Sequence, residues 1–178
     1  MLKNYQKNEF LFQKQVEPLF RATASGAFAN IVAAFLAYAL LHNTQHQIDG
    51  FLICSGIIFF SIIRLFIAKS YLSKNKPELK KHLYSYLILT LIIGIFWGLY
   101  AFMLRQPEDE SVRYICYLIN FGLISGSIAT LSTYKLAYIV YVWPQSVAII
   151  AVFLIIDTAS GPYIAMTLFL STIFMMMM

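Results

Sequence analysis

The sequence predicts an all-α fold, a polytopic integral membrane bundle of about six transmembrane helices with a cytoplasmic N-terminus. Three observations predict it. Hydrophobic residues make up 60% of the 178 and charged residues only 12%, with a mean hydropathy of +0.72; soluble domains sit nearer ~45–50% and ~25%. Apolar stretches recur at about the length that lets a helix cross a bilayer, ~20 residues. Lysine and arginine concentrate on alternate connections. A water-soluble fold of this length has too little interior to hide so much apolar surface. The formal charge of +5 is therefore read loop by loop, as a membrane signal and not as a nucleic-acid footprint.

Residues 1–21 are too long and too mixed in charge for the leading region of a signal peptide. The apolar stretch after them is nearly twice the usual signal core, so it is expected to stay attached as a first span. Phe12, Val16, Leu19 and Phe20 recur at helical spacing, which predicts a short amphipathic helix on the inner surface, shortened or broken by Pro18. Spans are predicted over residues 22–41, 51–68, 83–104, 112–133 and 136–156, with a sixth over 163–178. A tight turn around Tyr134 and Lys135 separates the fourth from the fifth. All must be helical, because no other open structure satisfies its own backbone in lipid. The sixth span has only one polar flank, so an output domain is expected beyond residue 178.

Orientation follows from the basic residues. Lys3, Lys7, Lys14, Arg21, Arg64, Lys69, Lys74, Lys76, Lys80, Lys81 and Lys135 fall on the predicted inner side, against Arg105 and Arg113 outside. Acids show the reverse bias, with Asp49, Glu108, Asp109, Glu110 and Asp157 outside.

No predicted span carries a carboxylate, the group that proton- and cation-driven pumps usually place within the membrane. Arg64 lies four residues from the inner end of its span, where a long side chain is expected to snorkel to the interface, with a pairing or signalling role inside the membrane as the alternative. Asn30, Asn120 and Gln145 fall near the middle of the first, fourth and fifth spans, with Trp97 a turn further out on the third. An amide in hydrocarbon needs a partner, so these residues predict either hydrogen bonds that fix helix packing or a mid-membrane polar pocket for a small, mostly apolar ligand. Ser25, Ala29, Ala33 and Ala37 recur every four residues, and Gly94–Gly98 and Gly122–Gly126 form G-x-x-x-G steps; both patterns predict close helix packing within the bundle, with a dimer face as the alternative. Pro144 is expected to kink the fifth span and free a carbonyl beside Gln145. Cys54 and Cys116 lie at similar depth, compatible with a disulfide or with two separate thiols. His42 and His46 are four apart with Asp49 nearby, but a two-histidine loop reads as solvated rather than metal-binding. No nucleophile motif, phosphate-binding loop or paired haem ligand occurs. No catalytic residue, metal or cofactor is expected.

Taken together, Arg64 late in the second span, the basic inner loop after it, Gly94-x-x-Trp97-Gly98, the small-residue run FGLISGSIATLS over 121–132 and the proline of YVWPQ carry a resemblance. The chain resembles, from about residue 20 onward, the N-terminal six-helix membrane region of bacterial sensor histidine kinases (often hybrids) and GGDEF-type diguanylate cyclases. The resemblance implies a sensory or anchoring domain in the bacterial inner membrane. It also implies a homodimer joined covalently to a cytoplasmic output domain, with the lipid bilayer as its surroundings and no nucleic-acid partner. Short outer loops imply a stimulus that is membrane-borne, physical or a small apolar ligand. Two other classes compete: a small transporter or half-transporter built of inverted three-helix halves, and an anchor or dimerisation module with no ligand.

Overall fold

A computed structural model of the chain describes residues 2–42, 44–73, 79–104 and 110–155, together with Met166 and Ile173, the side chains of 2–13, 110 and 111 excepted. The predicted sixth span otherwise lies outside the described residues. Among the described residues five helices follow in order: α1 (Leu2–Leu41), α2 (Gln47–Ser73), α3 (Leu79–Met103), α4 (Glu110–Leu131) and α5 (Lys135–Ile155). Within them, five segments are long and apolar enough to cross a membrane: Lys14–Leu41, Gln47–Ser73, Leu79–Met103, Val112–Leu131 and Lys135–Ile155.

α1 departs from expectation. Its 40 residues run as one helix, with Pro18 inside it where a break is predicted. Proline removes the N–H that would bond the carbonyl of Lys14, but Val16, Leu19 and Phe20 on either side are all buried. Packing of that apolar face holds the helix through a local defect. At 1.5 Å per residue α1 is about 60 Å long, roughly twice the hydrocarbon thickness. Its lysine-bearing first turns must therefore stand outside the hydrocarbon.

Side-chain contacts fix the relative directions. Phe20 of α1 packs its ring 4.5 Å from Tyr71 of α2 and 5.2 Å from Tyr86 of α3. At the other end Tyr38 meets Phe51 at 5.7 Å, and Tyr100 Oη reaches both the Ala37 carbonyl and Cys116 Sγ. Hence α1, α3 and α5 run one way and α2 and α4 the other. Lys14, Arg21, Lys69, Lys80, Lys81 and Lys135 all belong to the same end of the bundle. Short turns allow this. Thr44 Oγ1 accepts the His46 N–H at the start of α2, and Tyr134 N–H bonds the Leu131 carbonyl between α4 and α5.

The bundle is inside-out relative to a soluble protein. Phe28, Phe35, Phe59, Phe66, Leu118 and Leu154 face outward, while Asn30, Ser61, Arg64, Thr90, Asn120, Ser127, Gln145 and Ser146 are buried. An apolar exterior over a partly polar interior suits lipid as the solvent. α3 and α5 pack most closely. A Cβ built on Gly94 would lie 2.5 Å from the Tyr141 carbonyl oxygen, and one on Gly98 2.9 Å from that of Pro144. Backbone rests on backbone along this seam.

Candidate functional site

The interior polar groups centre on Asn30. Trp97 Nε1 donates to Asn30 Oδ1 at 2.8 Å, and Tyr141 Oη donates to the same oxygen at 3.0 Å. The amide nitrogen donates back to the Gly26 carbonyl at 2.8 Å. The orientation of the amide is fixed chemically, because an indole N–H only donates and must face the oxygen. One side chain thus joins α1, α3 and α5 with both lone pairs of its oxygen used. Asn30 and Trp97 come together as neighbours, as an interior pairing requires.

Asn120 does not join them, and Gln145 reaches the junction only at Tyr141. Asn120 Nδ2 donates to the Cys116 carbonyl and Gln145 Nε2 to the Tyr141 carbonyl, each one turn back on its own helix. Their oxygens, Oδ1 and Oε1, are buried without a hydrogen-bond partner among the described residues. Pro144 lies within a continuous α5. The carbonyl it deprives of a donor belongs to Val140, whereas Gln145 bonds the next one along.

Next to the Asn30 junction lies a cavity of about 320 Å³, walled by α1, α2, α4 and α5. Ser25, Gly26 and Asn30 contribute from α1, Gly122, Gly126 and Thr130 from α4, Tyr141 from α5 and Arg64 from α2. Sequence reasoning places Arg64 at the inner interface with its charge reaching water. The structure places it inside, 2% exposed. Arg64 is the sole ionised group of this wall. Its Nη2 comes within 3.6 Å of a Cβ built on Gly26, and its guanidinium carbon sits 5.6 Å from the centre of the Tyr86 ring. Its Nε has no hydrogen-bond partner, and no carboxylate pairs with it among the described residues. A burial this deep follows from helix register: Ser61, Arg64 and Ala68 share one buried face of α2, so Arg64 cannot turn outward without exposing its neighbours.

Among the described residues, no atom lies within 4 Å of a Cβ built on Gly122 or Gly126. They open the cavity wall instead of seating another described helix. Ser25 and Ala29 do the same on α1, whereas Ala33 and Ala37 of the same stripe are buried in the core. Sequence reasoning missed Gly26, Thr130 and Tyr141. The signal was present: Gly122, Gly126 and Thr130 recur every four residues, and Tyr141 lies one turn before Gln145. Elsewhere, Cys54 and Cys116 are free, buried thiols. No cluster of three histidine, cysteine or acidic side chains fit to hold a metal ion occurs among the described residues, and no catalytic domain is evident there.

Comparison of the chain with protein families, curated proteins and solved structures finds no match.

Proposed function

We propose that this chain is the membrane-embedded sensory and anchoring region of a bacterial signal-transduction protein, a sensor histidine kinase or a diguanylate cyclase. It would sit in the inner membrane as a homodimer and pass a membrane-borne signal to a cytoplasmic output domain. The observation that carries this reading is the cavity with the Asn30 junction on one wall. A ligand there touches α1, α2, α4 and α5 at once, so its binding bears on how those helices sit against each other. It shifts the bundle only to the extent that it binds two helix arrangements differently. The spans carry the amides and the arginine of a binding site, and none of the carboxylates that energise a pump.

The test replaces this region, in the full-length protein, with an unrelated dimerising membrane segment. Kinase phosphorylation or cyclic-di-GMP production is then followed with and without stimulus. Basal output should persist and the response should disappear. A retained response would reduce the region to an anchor, and substrate uptake by vesicles holding the purified protein would make it a transporter.

A further inference from the structure

Arg64 poses a chemical question that the hydrogen bonds among the described residues do not answer. An unpaired guanidinium inside a membrane protein is costly, and such groups are normally matched by a carboxylate, by carbonyls or by a ligand. Contact with the Tyr86 ring offsets only part of that cost. The other polar groups on the cavity wall are largely turned to their own helices. Ser25 Oγ donates to the Ala22 carbonyl, Ser127 Oγ to that of Ile124 and Thr130 Oγ1 to that of Ser127. Their oxygens remain able to accept, but none carries the negative charge that Arg64 lacks.

Shape and depth say what would supply it. Arg64 lies nine residues before the end of α2, about 14 Å along the helix, in the half of the bundle nearer its lysine-rich end. Ser25 and Ala29 on α1 and Gly122 and Gly126 on α4 are exposed small residues, and among the described residues they leave the cavity open sideways between those helices. A volume of about 320 Å³ is at the small end for ligand pockets, ~300–1,000 Å³. It takes a head group, with a tail left to run outward between the small residues.

We propose that this cavity binds the anionic head group of an acyl-chain amphiphile that enters sideways from the bilayer, with Arg64 as its counter-ion. The shared chemistry is a negative head on an apolar tail, either the carboxylate of a free fatty acid or the phosphate of an acidic phospholipid. The inference deepens the sensory reading, since it names the chemical class of the signal.

The test uses the purified full chain in a neutral maltoside detergent. Oleate and dioleoylphosphatidylglycerol are titrated against their uncharged or zwitterionic counterparts, oleyl alcohol and dioleoylphosphatidylcholine. Retained lipid is read by native mass spectrometry and affinity by thermal shift. Saturable binding of at least one anionic probe is expected, about tenfold or more tighter than its counterpart. Preference for oleate identifies a fatty acid, preference for phosphatidylglycerol a phospholipid, and equal binding the shared head-group charge alone. Arg64→Gln should remove the selectivity and Arg64→Lys should keep part of it. Arg64→Gln deletes an unpaired buried charge, so the ligand-free fold should survive it. As a second variant, Gly126→Leu fills the cavity from a position where a Cβ meets no described residue, and it should abolish binding with the arginine intact. Equal affinity for charged and uncharged probes, or wild-type binding by Arg64→Gln and Gly126→Leu, overturns the proposal. Binding is read without any output domain, so a ligand that binds and leaves output unchanged refutes sensing, while absent binding refutes only the site.

Discussion

Asn30, Asn120 and Gln145 are chemically alike and similarly deep, yet their side chains do different work. Asn30 accepts two hydrogen bonds from other helices, whereas the other two amides bond their own helix and leave a buried oxygen unpaired. Asn30→Ala therefore strands the Trp97 N–H and the Tyr141 O–H, and it should destabilise the protein by ~1–3 kcal/mol. Asn120→Ala and Gln145→Ala should cost under about 1 kcal/mol each, because each also removes an orphaned acceptor. Thermal unfolding of the three variants in detergent checks this ranking. Restoring part of the loss by adding Trp97→Phe and Tyr141→Phe to Asn30→Ala would assign it to the stranded donors. Sequence identifies these amides as interior groups but cannot rank them. The ranking depends on which residue of a neighbouring helix stands opposite, a matter of rotation and register that no single span encodes. Arg64 shows the same limit. Its position in the span suggested an escape to water, and only the burial of Ser61 and Ala68 on the same face rules that out.

Among the helices, the two G-x-x-x-G steps separate in the same way. Gly94 and Gly98 of α3 lie against α5 backbone, while Gly122 and Gly126 of α4 meet no atom of the described residues. Gly94→Ala should force α3 and α5 apart and cost ~1–3 kcal/mol, since the obstructing atom is a carbonyl and not a flexible side chain. Gly122→Ala should leave stability within about 0.5 kcal/mol of the parent or raise it slightly through helix propensity. Melting temperatures measured in parallel decide the matter. The existence of these helices was legible from apolar length alone. Their ends were less so: α2 and α3 run past the predicted spans, and α1 continues through Pro18. Polar residues at a membrane surface end the apolar pattern before they end the helix.

For the whole molecule, the alternating helix directions gather the lysine-rich ends at one pole, which the loop charges alone had predicted. We propose from the positive-inside rule that this pole faces the cytoplasm. Thr44→Cys in the α1–α2 turn and Ser73→Cys at the end of α2 lie at opposite poles. In intact spheroplasts a membrane-impermeant maleimide should label the first and spare the second until the cells are opened. The native thiols are buried and should contribute little background. The reverse labelling pattern would invert the orientation and place the Arg64 cavity in the outer half of the membrane.

The bond between Trp97 and Asn30 has an optical consequence. The chain has only two tryptophans. Trp143 is 48% exposed on the outer face of α5, while Trp97 is fully buried. Trp143→Phe therefore leaves a single indole whose N–H reports directly on the junction of α1, α3 and α5. The protein carries its own fluorophore at the point where its helices meet, so a rearrangement there can be followed by light without attaching a label.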